Sequence, residues 1–245
     1  MNDTIRYTIR TYDTLYMLAQ VFNTTVDSIM ELNPGIDPRN LFIGQVVTLA
    51  PGFQNDPSYP DPVIQEDDGS SLMNLINYMH ILWEQHVTWT RIAVMGLVHD
   101  LPETDLILKR LLRNPVDFAV ALTPFYGQEA AQAFADLLTA HLTIAAELVK
   151  AAKAKDTATF ADAEQRWYAN ADQIADLLSS INPYWAQEDW SAMMAEHLDL
   201  LKENVTQMLN QDYEASINGY DEIELQALEM ADMMAEGIYM QFSEM

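Results

Sequence analysis

Hydrophobic and polar residues alternate with two different periods along this chain, and the change of period divides it. Near the N-terminus, apolar positions recur at every second residue in two short stretches, which is typical of β-strands. From residue 71 onward they recur every three to four residues, which is typical of amphipathic helices. The pattern therefore predicts a small α+β region followed by a larger all-α region.

The N-terminal region carries signals for the order strand, helix, helix, strand, with both strands in one small sheet. Capping residues precede each predicted helix, and a Pro-Gly pair ends the second one, because proline cannot continue a helix and glycine accepts a positive φ. In chain order the signals are the strand 7–11, the cap Asp13-Thr14, the helical face Leu15, Leu18, Ala19 and Phe22, the cap Thr24-Thr25, the helix 26–32, the break Asn33-Pro34-Gly35 and the strand 46–49.

A segment rich in proline and acidic residues separates the two regions and predicts an extended linker. Beyond it, short separators between helical segments predict six helices whose neighbours are antiparallel. The larger region is therefore predicted to be a helical bundle. The predicted helices are 71–99, 103–123 with a break at Asn114-Pro115, 128–155, 157–181, 187–211 and 213–243. The predicted domains are 1–52, the linker 53–70, and the acidic helical bundle 71–245.

An internal repeat underlies the helical region. His86, His141 and His197 lie 55 and 56 residues apart, and similar residues flank each of them. Polar markers follow each histidine by about thirty residues, which predicts three helical hairpins of about 55 residues each. The markers are Asn114 and Asp117 after the first histidine, Asn170 and Asp172 after the second, and Glu229 and Asp232 after the third.

The composition excludes several kinds of site and partner. Without cysteine, the chain forms no disulfide and offers no thiolate to a metal ion or as a nucleophile. Its 12 Lys and Arg residues face 37 Asp and Glu residues, and the net charge of −25 disfavours nucleic acid and anionic membranes as partners. Two interpretations of the charge stay open, namely solubility in saline or alkaline surroundings, and docking of cations or of a basic protein partner.

The N-terminal signals resemble the LysM module, a small glycan-binding domain. The resemblance rests on Asp13-Thr14-Leu15, on Asn33-Pro34 and on Gly44-Gln45, which arrive in the family's order, and it covers roughly residues 5–52. The chain departs from the family at Tyr12, where a glycine is usual. The resemblance implies a βααβ fold and a ligand among N-acetylglucosamine polymers, such as peptidoglycan or chitin.

The resemblance also implies a shallow sugar groove between the loop after the first strand and the loop after the second helix. Backbone groups of these loops would bond the N-acetyl group, while Leu15 and Ile36 would pack against its methyl group and the ring. The alternative is that these residues only cap and end helices. The candidate glycan-binding residues are Tyr12, Asp13, Thr14, Leu15, Asn33, Pro34, Gly35, Ile36 and Asp37.

The repeated histidines suggest a second candidate site in the helical region. Imidazole and carboxylate groups that converge inside a bundle are ligands of iron, manganese or zinc. The alternative is structural, because each histidine could bond a carboxylate on the return helix and pin its hairpin. The glycan-binding interpretation itself needs no cofactor. The candidate ligands are His86, His141, His197, Asp117 and Asp172, with Glu229 or Asp232 in the third hairpin.

Signatures of catalysis and of membrane insertion are absent from the sequence. It contains no Gly-rich phosphate loop, no Gly-x-Ser-x-Gly and no His-Glu-x-x-His, so a non-catalytic role is favoured over an enzyme. No apolar run is long enough to span a membrane, and the N-terminus lacks the basic start and apolar core of a signal peptide.

The predicted function is non-catalytic glycan binding that tethers a helical scaffold or interaction domain. The order of domains resembles LysM-containing proteins of spore-forming bacteria. We therefore expect a protein made in the cytoplasm that resides in the cell wall or in spore surface layers. Two alternatives stay open. One is a metal-binding bundle that the glycan-binding module localises, and the other is a structural subunit that assembles as a homo-oligomer.

Overall fold

A computed structural model describes residues 4–9, 15, 18–19, 22, 24–38, 41–42, 44–50 and 70–243. The chain forms two compact units, Met1–Glu66 and Asp67–Met245. Among the predicted segments, the linker 53–70 lies outside the described residues except for Ser70.

The N-terminal unit contains a two-stranded antiparallel sheet. Strand β1 (Ile5–Thr8) pairs with strand β2 (Val46–Leu49), and the register places Thr8 opposite Val46. Helix α1 (Val26–Leu32) lies between them in sequence and begins where the Thr25 hydroxyl accepts a hydrogen bond from the Ser28 amide. Strand β1 begins two residues earlier than the strand predicted from the alternation.

A compact apolar cluster holds the N-terminal unit together. Tyr7 and Phe22 pack at its edge with their rings edge to face and their centroids 5.5 Å apart. Of the residues predicted to share one helical face, Leu15, Leu18 and Ala19 are buried in this cluster and Phe22 is half-buried against it, which explains the spacing of apolar residues in the sequence. Its buried members are Ile9, Leu15, Leu18, Ala19, Ile29, Val47 and Leu49.

The second unit is all-helical. Short polar turns separate its helices, and side chains of the turn residues cap the next helix: Asp156 accepts a hydrogen bond from the Thr159 amide, and Asp212 accepts one from the Ala215 amide. The helices are α2 (Ser70–His99), α3 (Thr104–Leu111), α4 (Asn114–Ala154), α5 (Thr157–Ile181), α6 (Gln187–Leu209) and α7 (Tyr213–Phe242). The predicted fold class, a small α+β module followed by a helical region, is confirmed.

The five long helices of this unit form a closed cycle of contacts. Helix α2 packs against α4, α4 against α5, α5 against α6, α6 against α7, and α7 returns to α2. The short helix α3 packs against α2. Leucine, alanine and aromatic side chains from all five long helices fill one continuous core. The cycle positions the inward faces of α2, α4, α5 and α6 around a common interior.

Two predicted interruptions in this unit are present in the structure. The predicted break at Asn114-Pro115 falls between α3 and α4, because Pro115 suits the first turn of a new helix. The predicted separator at 123–127 coincides with a kink inside α4. Gly127, with φ 77° and ψ 170°, is non-helical, so α4 consists of two helical segments joined at this residue. Pro124 lies in the last turn of the first segment.

In the described part of the chain, no helix is both long enough and apolar enough to cross a membrane.

Candidate functional site

The loop after α1 is built around the side chain of Asn33. Its Nδ2 donates to the carbonyl oxygens of Ile29 (2.6 Å) and Thr48 (2.7 Å), and its Oδ1 accepts from the Thr48 amide (2.8 Å). This single amide therefore joins the end of α1 to the middle of β2. A side chain with three bonds to the backbone serves the shape of the loop, and it has little capacity left for a sugar.

The other candidate glycan-binding residues divide by exposure. Leu15 is 1% exposed and belongs to the core, so its side chain is not on a groove surface. Ile36 is half-buried against the same core. Pro34, Gly35 and Asp37 are exposed on the loop. Tyr12, Asp13 and Thr14, the remaining candidates, lie outside the described residues.

Gly35 gives this loop its turn. Its φ is +87°, in the left-handed region that side chains other than glycine rarely adopt, and open space surrounds the position of a Cβ atom. The Ile36 amide donates to the Asn33 carbonyl (3.0 Å), which closes the turn. The loop therefore presents exposed backbone and small side chains, the kind of surface that can approach a polar ligand closely.

Each repeated histidine in the helical unit makes the same pair of contacts. Its Nδ1 bonds the amide oxygen of a residue on a following helix, and the NH₂ group of that amide donates to the carbonyl four residues before the histidine. The imidazole bonds are His86 to Asn114 (3.0 Å), His141 to Asn170 (2.9 Å) and His197 to Gln226 (2.9 Å). The carbonyl acceptors are those of Leu82 (2.9 Å), Leu137 (3.1 Å) and Met193 (2.9 Å).

We refer to each histidine with its amide and carbonyl partners as a histidine clamp. Because the amide NH₂ group faces a carbonyl, the amide oxygen must face the ring. This oxygen accepts a hydrogen bond from the Nδ1–H group. The orientation of the amide thus selects the neutral Nδ1–H tautomer in all three clamps.

The three imidazoles meet at one closed cavity. The rings of His86 and His197 are 5.8 Å apart between centroids, and His141 packs against Trp167 at 5.2 Å. The cavity volume is about 10 Å³, near the minimum for one water molecule. Its remaining lining is free of titratable groups and consists of Trp83, Phe134, Leu138, Ile174, Leu178, Trp190 and Met194.

Burial keeps these histidines uncharged. Burial, together with a smaller effect of the neighbouring imidazoles, lowers the pKa of His86 and of His141 to about 3. Burial also lowers the pKa of His197. A proton on any of these rings would place a positive charge in an apolar interior without a carboxylate beside it. The indole N–H groups of Trp83, Trp167 and Trp190 are likewise buried without a hydrogen-bond partner among the described residues.

The predicted carboxylate partners lie elsewhere, so the expectation that each histidine faces a carboxylate is wrong. Asp117 pairs with Arg113 (3.0 Å), Asp172 and Glu229 are exposed, and Asp232 bonds His80 (2.7 Å) instead of His197. The physical reason is burial, because an amide enters an apolar core at far lower cost than a carboxylate does. In the described residues, no three His, Asp or Glu side chains are grouped so that they could hold a metal ion.

The sequence did not identify the amide partners of the histidines as contacts, although their spacing from the histidines is regular. Asn114 and Asn170 follow their histidines by 28 and 29 residues, and Gln226 follows its own by 29. The carboxylates Asp117, Asp172 and Glu229 follow with the same regularity, at 31, 31 and 32 residues, so spacing does not distinguish the amides from them.

The chain was compared with protein-family models, with curated proteins and with solved structures. Residues 7–50 match the model of the LysM domain. No curated protein and no solved structure matches the chain. The matched residues contain the end of β1, all of α1 and β2, and the Asn33 loop described above. Residues 7–50 are therefore a LysM domain, which supports binding of N-acetylglucosamine-containing glycans, and a largely helical region follows it.

Proposed function

We propose that the LysM domain tethers the helical unit to peptidoglycan or chitin, in the cell wall or in spore layers, and that the helical unit is a non-catalytic scaffold. The observation that carries the proposal is the match of residues 7–50 to a glycan-binding module. The exposed loop with Pro34, Gly35 and Asp37 supports it, because exposed backbone at a fixed turn can bond the N-acetyl group of the sugar.

The interior of the helical unit supports a scaffold role. Its three buried histidines are bonded to amides that are themselves bonded to backbone carbonyls. Such satisfied internal contacts specify one packing of the helices. A rigid unit of this kind suits the presentation of an acidic surface at a wall.

The proposal is tested by sedimentation with purified peptidoglycan and with chitin. We compare the full chain with a variant that lacks residues 1–52, and far-ultraviolet circular dichroism verifies that the shortened chain keeps its helices. The full chain is expected to pellet with both polymers, and the shortened chain is expected to stay in solution. Cellulose, which lacks the N-acetyl groups, is the matched control polymer. Binding that survives the deletion would contradict the proposal.

A single small module binds its glycan weakly, so firm tethering calls for several copies in one assembly. We therefore propose that the full chain self-associates when it is bound. Analytical ultracentrifugation with and without soluble N-acetylglucosamine oligomers measures this directly. A monomer under both conditions would remove self-association and leave the glycan-binding proposal intact.

A further inference from the structure

The structure leaves the LysM domain with few side chains that can contact a sugar. Two of the predicted contact residues are engaged in the fold, since Leu15 is in the core and Asn33 bonds three backbone groups. Backbone groups can orient the N-acetyl group, but a pyranose ring also presents an apolar C–H face. Sugar affinity then calls for an exposed apolar surface close to the loops.

Phe42 provides the largest such surface among the described residues of this domain. Its side chain is 63% exposed, compared with 44% for Val46 and 38% for Leu32. In the described part of the chain, its ring stacks on no other aromatic ring. An aromatic face of this kind can pack against the apolar face of a pyranose.

A fixed turn holds Phe42 in place. The Phe42 amide donates to Oε1 of Gln45 (3.0 Å), and the Gln45 amide donates back to the Phe42 carbonyl (2.9 Å). Gly44, with φ +87°, completes the turn. Because the backbone is already ordered, placing the ring against a ligand costs little conformational entropy.

The same turn lies at the end of β1. The Ile9 amide donates to the Gln45 carbonyl (2.7 Å), and the Gly44 amide donates to the Ile9 carbonyl (2.8 Å). In the sequence, Ile9 leads into residues 10–14, which contain the first loop of the predicted sugar groove. Phe42 also follows the Asn33 loop on the way to β2. The turn that holds Phe42 is therefore hydrogen-bonded to Ile9, the residue that follows β1.

We propose that Phe42 is a sugar-stacking residue of the LysM domain, with its ring against the apolar face of an N-acetylglucosamine unit. This inference rests on the proposed glycan binding and adds to it a residue outside the set predicted from the sequence. It assigns the ring to an apolar contact and leaves the hydrogen bonds to the loop backbone.

The test is a titration of the full chain with chitotetraose, followed by calorimetry and by the proton chemical shifts of the sugar. Phe42→Ala is expected to weaken binding about tenfold, which corresponds to the loss of one well-buried apolar group. Phe42→Trp keeps a ring and is expected to bind at least as well as the parent chain. In complex with the parent chain, the C–H protons of one sugar face are expected to shift upfield.

Two matched variants separate stacking from general apolar contact. Phe42→Leu keeps an apolar side chain without a ring, and it is expected to abolish the upfield shifts and to weaken binding. Val46→Ala removes another exposed apolar side chain of the same domain, and it is expected to leave binding unchanged.

The outcomes are distinguishable. If the parent chain binds and Phe42→Leu matches it in affinity and in sugar shifts, the stacking role is overturned while the proposed function stands. An equal loss in Phe42→Ala and Val46→Ala would also overturn it, because the effect would then belong to the whole face. A parent chain that binds no chitotetraose would overturn the proposed function, and the stacking role with it.

Discussion

The LysM domain and the helical unit are both held together by side-chain amides, but the amides bridge different groups. In the LysM domain, Asn33 bonds only backbone groups of α1 and β2. In the helical unit, Asn114, Asn170 and Gln226 each bond one backbone carbonyl and one imidazole. The first arrangement contains no titratable group, whereas the second contains three. The two units should therefore respond differently to acid.

The two units also differ in how much of their stability comes from apolar packing. Among the described residues, the apolar cluster of the LysM domain has seven buried members, so one amide with three hydrogen bonds is a large share of the domain's stability. The helical core is far larger and includes fully buried tryptophans, so its fit is sensitive to added volume. Three changes test this contrast, and we give them from the largest expected effect to the smallest.

Acidification is expected to have the largest effect, and to act on the helical unit. The pKa of His86 and of His141 is 6.5 in the unfolded chain and about 3 in the fold, so the unfolded state binds more protons between these values. The stability that the neutral rings contribute is complete above pH 6.5 and is lost as the pH falls toward 3. Each ring then costs about 1.4 kcal/mol per pH unit. Urea unfolding followed by circular dichroism measures the slope.

The matched variant for this prediction is His141→Gln. Glutamine can still donate to Asn170 but does not titrate, so the pH slope should become shallower by about 1.4 kcal/mol per pH unit. Signals of the LysM domain in nuclear magnetic resonance spectra should persist at a pH where the helical unit has unfolded. Equal slopes for the parent chain and the variant would show that the histidine clamps do not set the acid response.

A methyl group added at Gly237 tests packing in the helical unit. A Cβ atom there would lie 1.9 Å from Nε1 of Trp185, and that indole also donates to the Met233 carbonyl (3.1 Å). Gly237→Ala is expected to lower the free energy of unfolding by about 3 kcal/mol. Gly219→Ala, in the same helix with its nearest neighbour at 3.3 Å, is the control and should shift stability by less than about 1 kcal/mol. Similar effects at both sites would refute tight packing at Trp185.

Removal of the Asn33 amide tests the LysM domain. Asn33→Ala deletes three hydrogen bonds and leaves the Thr48 amide without its acceptor, so a loss of about 2 kcal/mol is expected in this domain alone. Glu31→Ala, an exposed change two residues earlier, should be nearly neutral. Scanning calorimetry separates the two units. A shift of the helical transition in Asn33→Ala would contradict their independence.

Local signals in the sequence predicted most of the architecture. Separators such as Asp156 and Asp212 mark helix starts because their side chains cap the first turn. Pro124 and Gly127 mark the kink that divides α4 into two helical segments, because glycine accepts the positive φ found there. Periodicity also placed the three histidines on equivalent helices, and the structure brings them to one cavity.

The chemistry of the site was harder to predict than its position. Asn114 and Asp117 are three residues apart on one helix, so sequence spacing hardly separates them, and only burial decides which faces His86. The role of Asn33 depends on β2, fifteen residues later, and no local pattern reports such a contact. Phe42 carries no motif, and its interest arises from exposure that only a folded domain defines.

The return of α7 to α2 has a consequence for synthesis of the protein. His197 obtains its amide partner from α7, and α2 obtains a main packing neighbour from it. A nascent chain therefore cannot form the third histidine clamp until its last helix has left the ribosome. Pairing of segments so distant in sequence slows folding, and a chain cut before α7 would expose the apolar faces of α2 and α6. Quality control in the cell can thus recognise an unfinished copy by these exposed apolar faces.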